Sequence, residues 1–122
     1  MVPHRLALLA ETHALPDGNR VRLRLTRPSD ADLVHDFLER VAASSELRVR
    51  HLTFYDPRRR LVLAATLPVD GRECIVGMVD AAFHRGGERT VEVLTPAEPR
   101  DEALEELLRS AGDSLAERHA AA

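Results

Sequence analysis

Apolar and polar positions alternate or recur in distinct blocks along this chain, and each block predicts an element. Val21, Leu23 and Leu25 alternate with Arg22, Arg24 and Thr26, the period of a strand with one face in the core. A short extended piece over 12–15 precedes them across Asp17-Gly18, so the two form a predicted hairpin. Val34, Phe37, Leu38 and Val41 then fall at i, i+3, i+4 and i+7. This predicts an amphipathic helix that begins near Pro28, with Ser29 or Asp30 available to satisfy an orphan N–H and His35, Asp36, Glu39 and Arg40 left outside. A second, shorter helix follows Ser44-Ser45, with Leu47 and Leu52 expected inward and Arg48, Arg50 and His51 around them. Asp56-Pro57 ends it.

The second half reads as a three-strand antiparallel meander and a last helix. Two apolar runs, 61–67 and 74–83, are joined through Asp70-Gly71, and the second reaches residues 90–94 through Gly86-Gly87. Both alternating sets in the first two strands are largely apolar, so these strands need cover on both faces. In 90–94, Val91 and Val93 flank Glu92. Leu104, Leu107, Leu108, Ala111 and Leu115 carry a helix from about Arg100 to His119, interrupted only by Gly112, with Leu107 on its inner stripe. The expected fold class is α/β (α+β), a mostly antiparallel sheet with helices on both faces in the order β-β-α-α-β-β-β-α.

Composition narrows the class without naming a function. At 122 residues, 44% apolar and net charge −3, the chain is expected to be a single domain over 1–122. Residues 1–11 form a lead-in segment and 12–119 the core. Every basic residue is Arg, a bias attributed first to genome composition. One cysteine, Cys74, cannot form an intramolecular disulfide, and the apolar runs 6–10 and 61–67 are too short for a signal-peptide core or a membrane span. A cytoplasmic location without membrane contact is expected.

Few residues carry candidate chemistry. Cys74 reads as a small buried hydrophobe, because no His with Asn or Asp can be placed beside it. His4, His13, His35, His51, His84 and His119 show no i,i+4 pair and no metal spacing, so no metal is expected. Arg48, Arg50, Arg58, Arg59 and Arg60 could form a basic patch for nucleic acid or for the adenosine phosphate of a coenzyme. The acidic balance, with one Tyr and three Phe, favours a solvated cluster paired with neighbouring carboxylates. The segment 95–102, where a strand feeds a helix, is where many α/β proteins hold phosphate. Pro96 and Pro99 lack N–H donors there, and Glu98, Asp101 and Glu102 bring carboxylates.

The order of elements and several local phrases resemble the GNAT-type N-acetyltransferases, the acyl-CoA N-acyltransferase fold, and in particular their protein-acetylating branch. The phrases are Leu15-Pro16-Asp17-Gly18, Arg27-Pro28-Ser29-Asp30-Ala31, residues 44–52 and Ile75-Val76-Gly77-Met78. The resemblance spans roughly 12–119. It implies a partial GNAT-like fold, with Glu92 at the position where such enzymes often carry the carboxylate that takes a proton from the substrate amine. A solvent-facing carboxylate on an edge strand is the plainer reading of Glu92. The family's glycine-rich pyrophosphate loop has no counterpart after residue 94, and the chain stops before the family's further strands. The resemblance therefore implies a shortened domain without a working acetyl-CoA site, leaning catalytically inactive and acting as an interaction or regulatory module, with no cofactor-binding residues and no cofactor. The alternative is an acyl-CoA-dependent N-acetyltransferase using acetyl-CoA, its site completed by a partner subunit and Glu92 its base; an arginine-mediated nucleic-acid binder is third. The strand 90–94 should be a sheet edge, so a homodimer or another protein partner is expected unless residues 6–10 fold across it.

Overall fold

The computed structural model describes residues 12–41 and 44–121, with side chains as far as Glu117. Its elements are β1 (Thr12–Ala14), β2 (Arg20–Leu25), a 3-10 turn (Pro28–Asp30), α1 (Ala31–Val41), α2 (Glu46–Thr53), β3 (Arg60–Val69), β4 (Arg72–Phe83), a second 3-10 turn (Arg85–Gly87), β5 (Arg89–Leu94) and α3 (Glu102–Ala121). Element order is as the periodicity predicts. The strands form one antiparallel sheet in the order β1-β2-β3-β4-β5. Among the described residues β5 pairs with β4 alone; the segment 6–10, the alternative cover for this edge, lies outside them.

Two separate cores follow from β3 and β4 being apolar on both faces. On one face Val21, Leu23, Leu63, Ala65 and Val79 meet Leu104, Leu108, Ala111 and Leu115 of α3. On the other, Val62, Ala64, Ile75 and Met78 meet Val34, Phe37 and Leu38 of α1 and Leu52 of α2. The register shifts between Ala65 and Thr66, which pair with Gly77 and Ile75, so Val76 is the extra residue of a bulge. A bulge locally breaks strict alternation. Val76 packs with the α3 core, and a Cβ added to Gly77 would come 2.7 Å from Leu108 Cδ1 of the same core, before Met78 returns to the α1 side.

A charged network ties the first helix to the sheet. Arg24 faces the α1 side of β2 and grips Asp30 with both terminal nitrogens at 2.8 Å, while its Nε and Nη2 reach Glu73 of β4 at 3.1 and 2.9 Å. Asp30 also accepts the Arg27 N–H at 2.8 Å, filling the cap that the sequence places at Ser29 or Asp30. Its carboxyl is held below the usual carboxylate range, first by the Arg24 hydrogen bonds. A planar guanidinium suits such two-sided bidentate bonding.

Four local expectations change. Leu25, expected on the core face with Val21 and Leu23, is 38% exposed at the end of β2. Leu47, expected inward, is 64% exposed; α2 is only eight residues long and turns Leu52 and Thr53 to the core instead. Cys74, expected in the core, is half-buried at the bulged end of β4, with Arg40 Nη1 3.5 Å from its sulfur. Gly112 does not interrupt the last helix, which runs through it. There the absence of a side chain lets α3 lie against the sheet: a Cβ would sit 2.7 Å from methyl groups of both Val79 and Val91.

Two stability outcomes follow. Gly112→Ala gains about 1 kcal/mol of helix propensity but collides with two short, stiff valines, so a net loss of about 1–2 kcal/mol is expected in chemical denaturation. Leu108→Ala, at a position with no exposure, should cost about 2–5 kcal/mol and Leu107→Ala less, because Leu107 is half-buried. Equal losses at the two leucines would mean that the phase of α3 is wrong.

Candidate functional site

The meander brings two carboxylates together. The β4–β5 register sets Asp80 directly opposite Glu92, and the β3–β4 register sets Asp80 opposite Val62, whose side chain belongs to the α1 and α2 core. Asp80 therefore points toward α2. The Ser45 hydroxyl accepts the Arg48 N–H at 3.1 Å and fixes the first turn of α2. Arg48 and His51, one turn apart, then face the same two acids, and a cleft of about 360 Å³ opens between Ser45, Leu47, Arg48, His51, Asp80 and Glu92.

The two acids differ in setting. The Glu92 side chain is 57% exposed and lies 3.5 Å from Arg48 Nη2. Asp80 is 14% exposed, and Arg60 Nε lies 3.3 Å from its Oδ1, close enough for an ion pair but without hydrogen-bond alignment. Oδ1 of Asp80 and Nε of Arg48 are both buried without a hydrogen-bond partner among the described residues. Burial pushes the Asp80 carboxyl above its ordinary range, and the nearby Glu92 charge adds to this; Arg60, Arg48 and His51 oppose it without cancelling it. A carboxyl of this kind can take up or release a proton at higher pH than an exposed aspartate.

Glu92 stands out in the sequence as an acid between two valines, whereas Asp80 is hidden inside the apolar run of β4. The available signal was a lone acid, Val79-Asp80-Ala81, within a strand apolar on both faces. Only the register across the Gly86-Gly87 turn shows that it faces Glu92. The five arginines do not act as one patch: Arg48 and Arg60 approach Glu92 and Asp80, and Arg58 turns onto Asp56. No group of His, Cys, Asp and Glu among the described residues is placed to hold a metal, and no helix among them is long and apolar enough to cross a membrane.

The start of α3 is capped from within. Asp101 Oδ1 accepts the Leu104 N–H at 3.0 Å, and its carbonyl accepts the Glu105 N–H at 3.0 Å. Arg100 binds Glu105 at 3.1 Å and lies 3.7 Å from Glu102. The orphan donors of the first turn are thus partly spent on the chain's own acid.

An antiparallel five-strand sheet with α1 and α2 on one face and α3 on the other defines a GNAT-like fold. The structure is similar to the GNAT domain of S. lividans PAT, with a TM-score of 0.65 and 21% sequence identity over 87% of this chain and 73% of that one. No protein-family model matches the sequence, and no curated protein matches it.

A pH dependence follows from Asp80. Its pKa is higher folded than unfolded, so between those values the native state holds more protons and stability falls as pH rises. Relative to Asp80→Asn, the wild type should lose stability from near its unfolded pKa of 3.8 upward until the folded carboxyl is ionised. Urea denaturation across this range, showing a constant difference between the two proteins, would contradict the assignment.

Proposed function

We propose that this GNAT-like domain serves as an interaction or regulatory module and does not use acetyl-CoA. The observation that carries this reading is the start of α3. In GNAT enzymes the corresponding segment is a glycine-rich loop whose backbone N–H groups bind pyrophosphate. Here Asp101 takes the Leu104 N–H, Pro96 and Pro99 have no N–H to offer, and Glu102 and Glu105 stand in the first turn. Carboxylates favour a helix N-terminus for the same reason that phosphate does, so the position is already satisfied and repels a second anion.

Acetyl-CoA titrated into the ¹⁵N-labelled protein should leave the amides of 95–105 unmoved. A low-micromolar dissociation constant accompanied by shifts in that segment would overturn the reading.

A second reading is favoured by the cleft rather than by α3. Asp80 and Glu92 face each other beside Arg48 and His51, and a carboxyl of raised pKa in a cleft is a candidate proton acceptor. On this reading the chain is an acyl-CoA-dependent N-acetyltransferase completed by a partner subunit, with Glu92 as base and Asp80 opposite it. Acetyl transfer to an amine under conditions where the chain self-associates, absent from the monomer and lost in Glu92→Gln, would support it over the first.

The module reading also expects a partner at the edge of β5, where Val91 and Val93 flank Glu92 and β4 is the one paired strand among the described residues. A second copy satisfies such an edge with two-fold symmetry. Sedimentation equilibrium should give twice the chain mass of 13.5 kDa. The monomer mass would reject the homodimer.

A further inference from the structure

Phe54 is left in water without a packing reason. It follows α2 directly and is 66% exposed, whereas its neighbour Tyr55 is half-buried, its hydroxyl donating to the Thr26 carbonyl at 3.2 Å. Both line a cleft of about 830 Å³ between the end of α2, the turn that leads into β3 and the turn that links β4 to β5. This volume lies in the range of small-molecule sites, roughly 300–1,000 Å³.

The charge of the cleft opposes that of the chain. Arg58, Arg59, Arg60 and Arg85 line it against one carboxylate, Asp56. Four positive charges less one negative leave +3 with His51 and His84 neutral, in a chain of net −3. Arg58 is engaged with Asp56, and Arg60 leans toward Asp80. Arg59 and Arg85 make no ion pair among the described residues and come from adjoining segments, one before β3 and one after β4.

The rim is held by backbone bonds. The Arg59 and Arg60 N–H groups both donate to the Asp56 carbonyl, at 2.8 and 3.0 Å, and the Phe83 N–H donates to the Arg59 carbonyl at 2.8 Å. In the adjoining turn the His84 N–H donates to the Glu88 carbonyl at 2.7 Å, closing the loop that carries Arg85. Gly86 and Gly87, both at φ 88°, allow that tight reversal. The arginine backbones are therefore positioned before any ligand arrives, which lowers the ordering cost of binding.

Guanidinium groups match phosphate oxygens, and an exposed phenyl ring offers a stacking face to a flat heterocycle. We propose that this cleft binds a nucleoside polyphosphate, with the base stacked on Phe54 and the phosphates held by Arg59 and Arg85. A single nucleotide fits better than a nucleic-acid strand. A strand needs a continuous basic groove with successive stacking platforms, and here the basic surface is broken in the adjoining cleft, where Asp80 and Glu92 stand among Arg48 and Arg60. The cleft lies at the start of β5, whereas α3 begins beyond its end, so the site does not depend on the reading of α3 given above.

The test is titration of the ¹⁵N-labelled chain with ATP at low salt, beside tripolyphosphate and a short oligothymidylate. ATP should move the amides of Phe54, Arg59, Phe83 and Arg85 in a saturable way, and leave 95–105 still. Phe54→Ala should weaken ATP roughly fivefold or more, the loss of one stacked base, without changing tripolyphosphate. Arg59→Ala and Arg85→Ala should weaken both. These side chains are at the surface, so their removal spares the two cores, which circular dichroism checks. No saturable shift in these amides, ATP binding indifferent to all three substitutions, or tripolyphosphate binding as tightly as ATP would each overturn the proposal. So would an oligothymidylate bound more than about tenfold tighter than ATP with a steep salt dependence, which marks a strand-binding face.

Discussion

The fold depends on the demand of β3 and β4 to be covered on both sides. Their residues are apolar toward α3 and apolar toward α1 and α2, so neither face can be left to water. One helix layer would leave the other face exposed, and full burial of each leucine, valine or isoleucine there is worth about 1.5–3 kcal/mol. The two helices before the meander and the one after it supply the two layers. Chain order thereby becomes three-dimensional order: α1 and α2 on one face, α3 on the other, with β2 and β5 flanking the central pair.

Close packing on one face is bought with missing side chains. Gly77 receives Leu108, and Gly112 receives Val79 and Val91. These two contacts bring α3 against β4 and β5 closely enough to bury Leu104, Leu108 and Ala111. On the opposite face the packing is interrupted by charge. Arg24, Asp30 and Glu73 join β2, the turn before α1 and β4, with short bonds in both directions. Asp80, by contrast, has an arginine nearby and a buried oxygen that accepts no hydrogen bond. The first group of charges is hydrogen-bonded and fastens the helix; the second opens onto a cleft.

That difference separates structural from candidate functional chemistry on one face of one sheet. A buried acid with complete hydrogen bonding is held ionised, as Asp30 is. A buried acid with an incomplete set resists ionisation, as Asp80 does. The arginines divide in the same way. Arg48 belongs to a mixed cleft with Asp80 and Glu92, Arg58, Arg59 and Arg85 to a basic one that also carries exposed aromatic surface, and Arg60 lines both.

By itself the sequence determined the elements, their order and the two-faced sheet, because these rest on local periodicity: the alternation in 21–25, the helical spacing of Val34, Phe37, Leu38 and Val41, and the turn signals Asp17-Gly18, Asp70-Gly71 and Gly86-Gly87. It also displayed the prolines and acids at the start of α3, which are visible one residue at a time. Glu92 was legible as a lone charge on an apolar strand. Tertiary structure alone decided the rest. That Asp80 faces Glu92 depends on strand register, which no local window contains. That Leu47 points to water depends on how a two-turn helix rolls against the sheet, and that Gly112 is a contact rather than a break depends on Val79 and Val91, distant in sequence. The grouping of Phe54 with Arg59 and Arg85 has the same origin: the end of a helix and two turns converge at one end of a sheet only after both of its faces have been covered.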